Sequence, residues 1–563
     1  MIYRSHQELH YPEHADLTNI LFDYNLQNTP SNKPAVIDGP TGDVVFTYES
    51  IRDAVKRVAG HLQTELKIQP GTVVGILSTN RHYFPVCVHA ILAVGGVVSA
   101  LNPAYQPQEL AHALSLSKPR HVLVEKDLLS TLNIALESIP TTKPHLHVWD
   151  DASPNPSLAS TLPIESIIRH ASPTTFTRPT SLPPPAYRVA FICFSSGTSG
   201  LVKGVRLSHS NIISNIHQQR AALTGMFAPN TVLALIVPFF HILGLAGFCC
   251  QFIAFGAPIV MFRRFELGPL LAAIKRDRIT HINVVPPIAL EFLRNPIADH
   301  GDYGSVRALC NAAAPLKGSI AERIERKLGC VVTQWYGMTE CSPSVASQRE
   351  DEVGVKGTIG KLLPGMEMRI VDEEGKDARV GELLLRGPNV MLGYVQHGSV
   401  QSNAMTEDGF LKTGDVGYID ENGYIFLVDR AKEMIKVKGN QVAPAELEAV
   451  LLSHPAVEDA AVCGVYDDER ATEYPIAYIA TKITGRQELE GLKAEVRQFV
   501  DGQVTRYKQL KGGVHVLDAI PRNASGKILR RLLPANLAAA EQAKRAVKPS
   551  DTTRGEVVIQ AKL

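Results

Sequence analysis

Phe194-Ser-Ser-Gly-Thr-Ser-Gly-Leu-Val-Lys-Gly-Val205 opens directly behind the apolar run Val189-Ala-Phe-Ile-Cys193. An apolar strand that runs into glycines, hydroxyls and one lysine reads as a phosphate-binding loop. Gly197 and Gly200 let the backbone turn its N–H groups toward an anion, and Lys203 adds a point charge. The hydroxyls of Ser195, Ser196, Thr198 and Ser199 donate further hydrogen bonds. The spacing is not G-x-x-x-x-G-K-[ST], which separates this loop from the P-loop of kinases and GTPases. A flexible Gly/Ser linker is the bland alternative, but linkers seldom sit between an apolar strand and a Lys-Gly-Val continuation.

Outward from the loop, between about Phe46 and Val260, helix-length stretches such as Tyr48 to Leu66 alternate with β-rich runs such as Val73 to Leu77 and His121 to Val124. That alternation predicts layered α/β units. Ser153 to Pro185 is rich in Pro, Ser and Thr and reads as an irregular surface connection. Gly381 to Tyr424 is dense in glycine and short β runs, which predicts a β-rich subdomain. From Glu433 the pattern changes to a helix at Ala443 to Leu452, a strand at Ala460 to Val465 and a helix at Glu488 to Val500. The expected fold is therefore α/β: a large N-terminal domain over residues 1–432, built of layered α/β subdomains plus the β-rich piece. A small C-terminal α+β domain follows over 433–545, and a polar tail over 546–563. No internal repeat is visible.

A chain of 563 residues is too long for one hydrophobic core. With 57 Lys+Arg against 56 Asp+Glu, the net charge of +1 provides no global field that would gather nucleic acid or an anionic membrane. Any anionic ligand must be held by a local site. The eight cysteines, Cys87, Cys193, Cys249, Cys250, Cys310, Cys330, Cys341 and Cys463, fall mostly among apolar neighbours without a CxxC pair, and read as buried reduced thiols. The N-terminal stretch has no apolar core flanked by basic residues, so no secretory signal is expected. Ile242 to Phe262 is long enough to span a bilayer, and Pro85 to Leu101 raises the same question more weakly. Glycines break both, and Pro258 also breaks the first, so buried helix plus strand is expected rather than a membrane span.

Further motifs follow in order. They are Gln334-Trp-Tyr-Gly-Met-Thr-Glu340, Gly381-Glu-Leu-Leu-Leu-Arg-Gly387, Lys412-Thr-Gly-Asp-Val-Gly-Tyr418, Val428-Asp-Arg-Ala-Lys-Glu433 running into Ile435-Lys-Val-Lys-Gly-Asn-Gln-Val442, and Pro521-Arg-Asn-Ala-Ser-Gly-Lys527. Together with the loop they resemble the superfamily of adenylate-forming enzymes that includes acyl-CoA synthetases, firefly luciferase and peptide-synthetase adenylation domains. Motif order and wording are nearest the 4-coumarate:CoA ligase-like subgroup, and the resemblance covers roughly Tyr48 to Leu533.

The resemblance implies ATP, Mg²⁺ and CoA as ligands and a carboxylic acid as substrate. It places Tyr336 on adenine beside Ala312, Ala313 and Ala314, Thr339 on phosphate, and Glu340 on Mg²⁺. Asp415 takes the ribose hydroxyls, with Arg430 beside it. Lys527 bridges the acid's carboxylate and the α-phosphate during adenylation. The resemblance makes the small C-terminal domain a mobile lid: Lys436, Lys438, Gly439 and Gln441 belong to a segment that rotates in for thioester formation, with Lys432 as hinge. His241 lies at the acid-pocket position, where it gates or orients the acyl group; alone in an apolar run it would read as a core residue.

Where 4-coumarate ligases hold a phenol with polar groups, this chain has Leu243, Ala246 and Cys310, which reads as an apolar pocket. Trp335 replaces a usual glycine, while Gly337, Pro343 and Ser344 keep the pocket small-sided. The implied activity is activation of an apolar acid, medium-chain fatty or aryl-alkanoic, as acyl-AMP and then acyl-CoA. The alternatives are a 4-coumarate-type or other adenylating enzyme with a non-CoA acceptor, and a nucleotide-binding protein without catalysis. The end Ala561-Lys562-Leu563 is a conservative variant of the Ser-Lys-Leu address, so recognition by the peroxisomal import receptor is expected.

Overall fold

The computed structural model describes residues 1–536 apart from 26, 140–142, 150–159, 197–201, 315, 317, 373, 396–403, 431–432, 438–439, 468–471, 505 and 524–525. Two large sheets dominate. The eight-stranded sheet runs, edge to edge, Gly393–Tyr394, Val202–Ser208, Val189–Ser196, Val97–Leu101, Val73–Leu77, His121–Val124, His145–Val148 and Ser160–Thr161. The nine-stranded sheet runs Lys361–Leu362, Ser344–Ser347, Val331–Gly337, Ala308–Asn311, His281–Val284, Leu233–Leu235, Ile259–Met261, Pro34–Asp38 and Val44–Thr47. The inner strands of both are parallel and buried on both faces. They therefore read as continuous apolar runs, and every residue of Val97–Leu101 and of His121–Val124 is buried.

Helices cover the sheets with periodic apolar faces. In Tyr48–Thr64 the buried residues Ile51, Val55, Val58 and Leu62 fall at helical spacing. Thr47 caps that helix: its hydroxyl accepts from the Ser50 N–H at 3.1 Å, and the Ser50 hydroxyl accepts from the Thr47 N–H at 2.8 Å. Each fully buried Ile, Leu or Val contributes about 1.5–3 kcal/mol. One apolar cluster fills the space between the two sheets, and a second backs the nine-stranded sheet on its other face. A five-stranded sheet, Ile2–Arg4, Glu367–Val371, Val380–Arg386, Leu411–Ile419 and Ile425–Arg430, forms the β-rich part.

From Ile435 the chain builds a small α+β unit. The strands Asp459–Asp467, Thr472–Ala480 and Gly513–Val516 form its sheet, and the helices Pro444–Leu451 and Arg486–Asp501 pack there around their own core. This unit touches the large body: Arg294 Nη2 donates to the Val457 carbonyl at 3.3 Å. The left-handed Gly526, φ +80°, abuts Val285 and Pro287, and a Cβ there would lie 3.4 Å from Val285 Cγ2.

Ile242 to Phe262 folds as a π-helical stretch Leu243–Gln251, a short helix Phe252–Ala254 and a strand Ile259–Met261. Pro85 to Leu101 supplies most of the helix Phe84–Ala93 and the strand Val97–Leu101. Among the described residues no helix is long and apolar enough to cross a membrane. All eight cysteines are free and buried. One expectation is corrected. Ser153 to Pro185 is not wholly irregular, because Ile164–His170 is a helix that buries Ile164 and Ile167. Its one apolar face is short, and the surrounding Pro, Ser and Thr mask it in composition.

Candidate active site

The strands Val189–Ser196 and Val202–Ser208 are antiparallel, with Lys203 opposite Ser195 and Val202 opposite Ser196. Lys203 thus stands on a strand rather than in the loop. Gly197, Thr198, Ser199 and Gly200 lie outside the described residues. The strand pair is closed on one side by Gly393–Tyr394, which pairs with Val205 and Arg206. This brings Lys203 Nζ to 4.9 Å from the centre of the Tyr394 ring.

Glu340 sits in the turn Thr339–Cys341 that follows the strand Val331–Gly337. Its Oε1 accepts from Ser195 Oγ at 2.8 Å and from Tyr394 OH at 2.9 Å. Burial and the neighbouring carboxylate push the Tyr394 phenol far above its ordinary range, so it remains a donor. Glu340 suits a hard cation. Among the described residues no three His, Cys, Asp or Glu side chains converge as a metal cage. A divalent ion here would share this carboxylate with phosphate oxygens, the coordination Mg²⁺ favours.

Tyr336 OH donates to Asp415 Oδ2 at 2.7 Å, both residues being buried. Burial first, and then Asp415, hold the Tyr336 phenol well above its usual range. Asp415 lies opposite Arg430 across two strands, and its own N–H donates to Thr413 Oγ1 at 3.0 Å. The small residues expected beside the ring follow the neighbouring strand Ala308–Asn311. Ala312 N–H donates to Val284 O at 3.0 Å, Ala313 is left-handed at φ +69°, and Ala314 O accepts from Asn311 Nδ2 at 2.9 Å. Gly337 is required by close approach, since a Cβ there would collide with the Pro343 carbonyl oxygen.

His241 has its imidazole pushed down to about 4 by burial and is neutral near pH 7. Its Nδ1 accepts from the Leu243 N–H at 3.4 Å, which leaves the proton on Nε2 as a donor. Ala246, Cys310 and Trp335 share the buried cluster between the sheets, with Leu243 packed against it. The Ser344 hydroxyl accepts from Gln219 Nε2 at 2.9 Å within a buried network. The cavity of about 210 Å³ that reaches Cys310 and Trp335 also carries His281, Thr333, Gln348 and Glu350, so this wall is not apolar.

In the small unit, Lys436 and Gln441 are opposite each other on paired strands, while Lys432, Lys438 and Gly439 lie outside the described residues. Lys527 ends the turn that abuts Val285; its N–H donates to Asn523 Oδ1 at 2.8 Å. Sequence reasoning missed Tyr394 and Asn389. Asn389 Nδ2 donates to the Cys341 and Ser344 carbonyls at 2.8 and 2.9 Å, fixing the turn that carries Glu340. The only available signal was their place just beyond Gly387, because Tyr394 meets a partner 54 residues earlier.

Comparison with known proteins gives the same direction. Residues 22–395 match the AMP-binding enzyme family and 446–527 match the AMP-binding enzyme C-terminal domain. A protein of Dictyostelium discoideum described as probable 4-coumarate–CoA ligase 1 is 35% identical over 500 residues, covering 87% of this chain and 90% of that one. A probable CoA ligase of Humulus lupulus, CCL5, is 37% identical over 518 residues, covering 89% of each chain. The crystal structure of ATP-bound MatB from Rhodopseudomonas palustris superposes with a TM-score of 0.77 at 26% identity, over 95% of this chain and 99% of its own. With matched motifs, fold and family regions all in register, the chain belongs to the AMP-binding enzyme family, in its acyl-CoA synthetase and 4-coumarate:CoA ligase-like branch.

Proposed function

We propose that the protein is an ATP- and Mg²⁺-dependent acid:CoA ligase that forms an acyl-AMP and then an acyl-CoA. One observation carries the reading: Ser195, Lys203, Tyr394 and Glu340 meet one turn away from the Tyr336–Asp415 pair. In the first half-reaction the acid's carboxylate attacks the α-phosphorus of ATP and pyrophosphate leaves. Two anions must approach while charge builds on the α-phosphate oxygens, and Lys203 and Lys527 are the cations assigned to them. Mg²⁺, held by Glu340 and phosphate, would supply charge neutralisation. Neutral His241 offers an N–H to orient the acyl group. In the second half-reaction the CoA thiolate attacks the acyl carbonyl and AMP leaves. Lys436, Lys438, Gly439 and Gln441 serve that step after rotation about Lys432.

The acid has an apolar body of medium-chain fatty or aryl-alkanoic size. Ala246 within the buried cluster, and Leu243 packed on it, support this. The test is a panel of acids assayed for AMP release with and without CoA. Acid-dependent AMP and a stoichiometric thioester are expected, and AMP without thioester under every condition would reject CoA as acceptor.

A further inference from the structure

We propose that Arg522 and Arg294 are positioning residues for the adenylation step: Arg522 fixes the turn that presents Lys527, and Arg294 docks the chain next to that turn's anchor on the large body. The inference rests on the adenylating reading above and names what orients its lysine.

The turn is shaped first by bonds of its own. Arg522 bridges Ile528 across it. Asn523 N–H donates to the Lys527 carbonyl at 2.9 Å, Lys527 N–H donates to Asn523 Oδ1 at 2.8 Å, and Gly526 N–H donates to the Asn523 carbonyl at 2.9 Å. The Arg522 guanidinium then ties the turn to the small sheet. Its Nε donates to Asp459 Oδ2 at 2.9 Å, its Nη2 to Asp459 Oδ1 at 2.7 Å and its Nη1 to the Gly526 carbonyl at 2.6 Å. One side chain thus clamps the residue before Lys527 to the first residue of the strand Asp459–Asp467. A planar fork on a carboxylate fixes direction as well as distance, which a single ammonium does not.

The two residues ahead of Asp459 meet the large body. Arg294 ends the helix Pro286–Arg294, and it donates through Nη2 to the Val457 carbonyl at 3.3 Å and through Nη1 to the Glu458 carbonyl. Glu458 N–H in turn donates to the Ala480 carbonyl at 2.8 Å, so the contact is carried into the small sheet. At the other end of the same helix, Val285 and Pro287 face Gly526. The helix has nine residues and is about 13 Å long. Contacts at both ends of one rod fix a rotation that either contact alone leaves open. Val285 directly follows the strand His281–Val284, whose neighbour Ala308–Asn311 leads to Ala312, so the orientation is set against the wall of the nucleotide site.

Inside the small unit, Arg530 pairs with Glu433 and with Glu448, each at 2.8 Å. It joins the chain beside the hinge position to the stretch just after Lys527, so the unit holds together when it turns. The bonds of Arg294 to Val457 and Glu458 do not survive that turn. Arg294 therefore favours one orientation, and a contact made in one state only is what shifts a two-state equilibrium. Arg522 keeps its grip in both orientations and matters while Lys527 is in use.

The test measures acid-dependent ATP–pyrophosphate exchange, and thioester formation from supplied acyl-AMP and CoA, on the full chain. Arg522→Lys and Arg294→Ala are compared with wild type, each alone and each combined with Lys527→Ala. Arg522→Lys keeps the charge and loses the fork, so exchange at saturating ATP and acid should fall by about tenfold while KM for ATP stays within about twofold. Arg294 is exposed, and Arg294→Ala should lower exchange by about threefold. Thioester formation should stay within about twofold of wild type in the first variant and be equal or faster in the second. On top of Lys527→Ala, neither change should lower the residual exchange by more than about twofold, because both residues act through that lysine. Arg294→Ala decides the matter if Arg522→Lys does not fold. Unchanged exchange in either folded variant, parallel loss of both half-reactions, or a full further loss in the Lys527→Ala background overturns the inference while leaving the adenylating reading intact. The last result would make Arg522 or Arg294 a group acting on the reactants directly. A wild-type protein without exchange for any acid overturns the adenylating reading and this inference with it.

Discussion

Replacing Tyr336 with phenylalanine removes one hydroxyl and keeps the ring, so it separates two jobs of the nucleotide site. The hydroxyl donates to Asp415 Oδ2 at 2.7 Å, with Tyr336 7% and Asp415 6% exposed. A hydrogen bond from a buried hydroxyl to a charged acceptor contributes about 1.5–3 kcal/mol. Tyr336→Phe should therefore lower the unfolding free energy of the ligand-free protein by about that amount, read from urea denaturation followed by fluorescence. The effect on ATP should be smaller. If ribose hydroxyls donate to Asp415, bound nucleotide supplies the missing donor, and part of the loss is recovered in the complex. Titration calorimetry should then give a Kd for ATP within about tenfold of wild type, equivalent to about 1.4 kcal/mol. Unchanged stability together with a Kd weakened by about a hundredfold or more would refute this reasoning. Asp415 would then be coupled to Tyr336 only through the bound nucleotide.

Three more outcomes follow from the same geometry. Trp335→Ala removes a ring that is 8% exposed, so it should cost about 3–5 kcal/mol in stability and move the preferred acid toward bulkier members; an unchanged size profile would place the ring outside the acyl path. Burial holds His89, His121, His147, His217 and His241 at about 4, below the ordinary 6.5. As pH falls from 6.5 toward 4 the unfolded chain binds protons that the folded chain refuses, so the urea midpoint should be lower at about pH 5 than at about pH 7, and an equal or higher midpoint would contradict it. Ala561-Lys562-Leu563 is proposed as a peroxisomal address, so a fluorescent protein extended by the last residues of this chain should become punctate in a eukaryotic host; diffuse signal would reject the address.

The parts legible in the sequence were those in which local pattern and burial agree. Val73–Leu77 is a strand at the residues where its apolar run begins and ends, because a parallel strand covered on both faces has no polar position to blur its limits. The helix Arg486–Asp501 extends the expected span by a residue or two at each end, where periodicity fades. Other features depend on partners far away in the chain. The helix His209–Ala222 is rich in Asn, Gln and Ser and looks solvated, yet Asn215, Gln218 and Gln219 are buried. Their amides find partners at Ser344, Pro364 and Asn389, more than a hundred residues later. The polar wall of the pocket was hidden for the same reason. His281, Thr333 and Glu350 line it from three separate stretches of the chain, and only the fold brings them together. Tyr394 likewise reads as an ordinary strand tyrosine until its hydroxyl is seen on Glu340.

If one site makes an acyl-AMP and then passes the acyl group on, Lys527 serves only the first step. The turn that carries this lysine packs on Val285 and Pro287 through Gly526, next to the end of the strand His281–Val284, whose neighbour Ala308–Asn311 leads to Ala312. Lys527→Ala and wild type should be compared in acid-dependent ATP–pyrophosphate exchange and in thioester formation from supplied acyl-AMP and CoA. Removing a cation from the developing charge should lower exchange by about 10²- to 10³-fold while thioester formation survives. Parallel loss of both activities, or a wild-type protein with no acid-dependent exchange, would contradict the account.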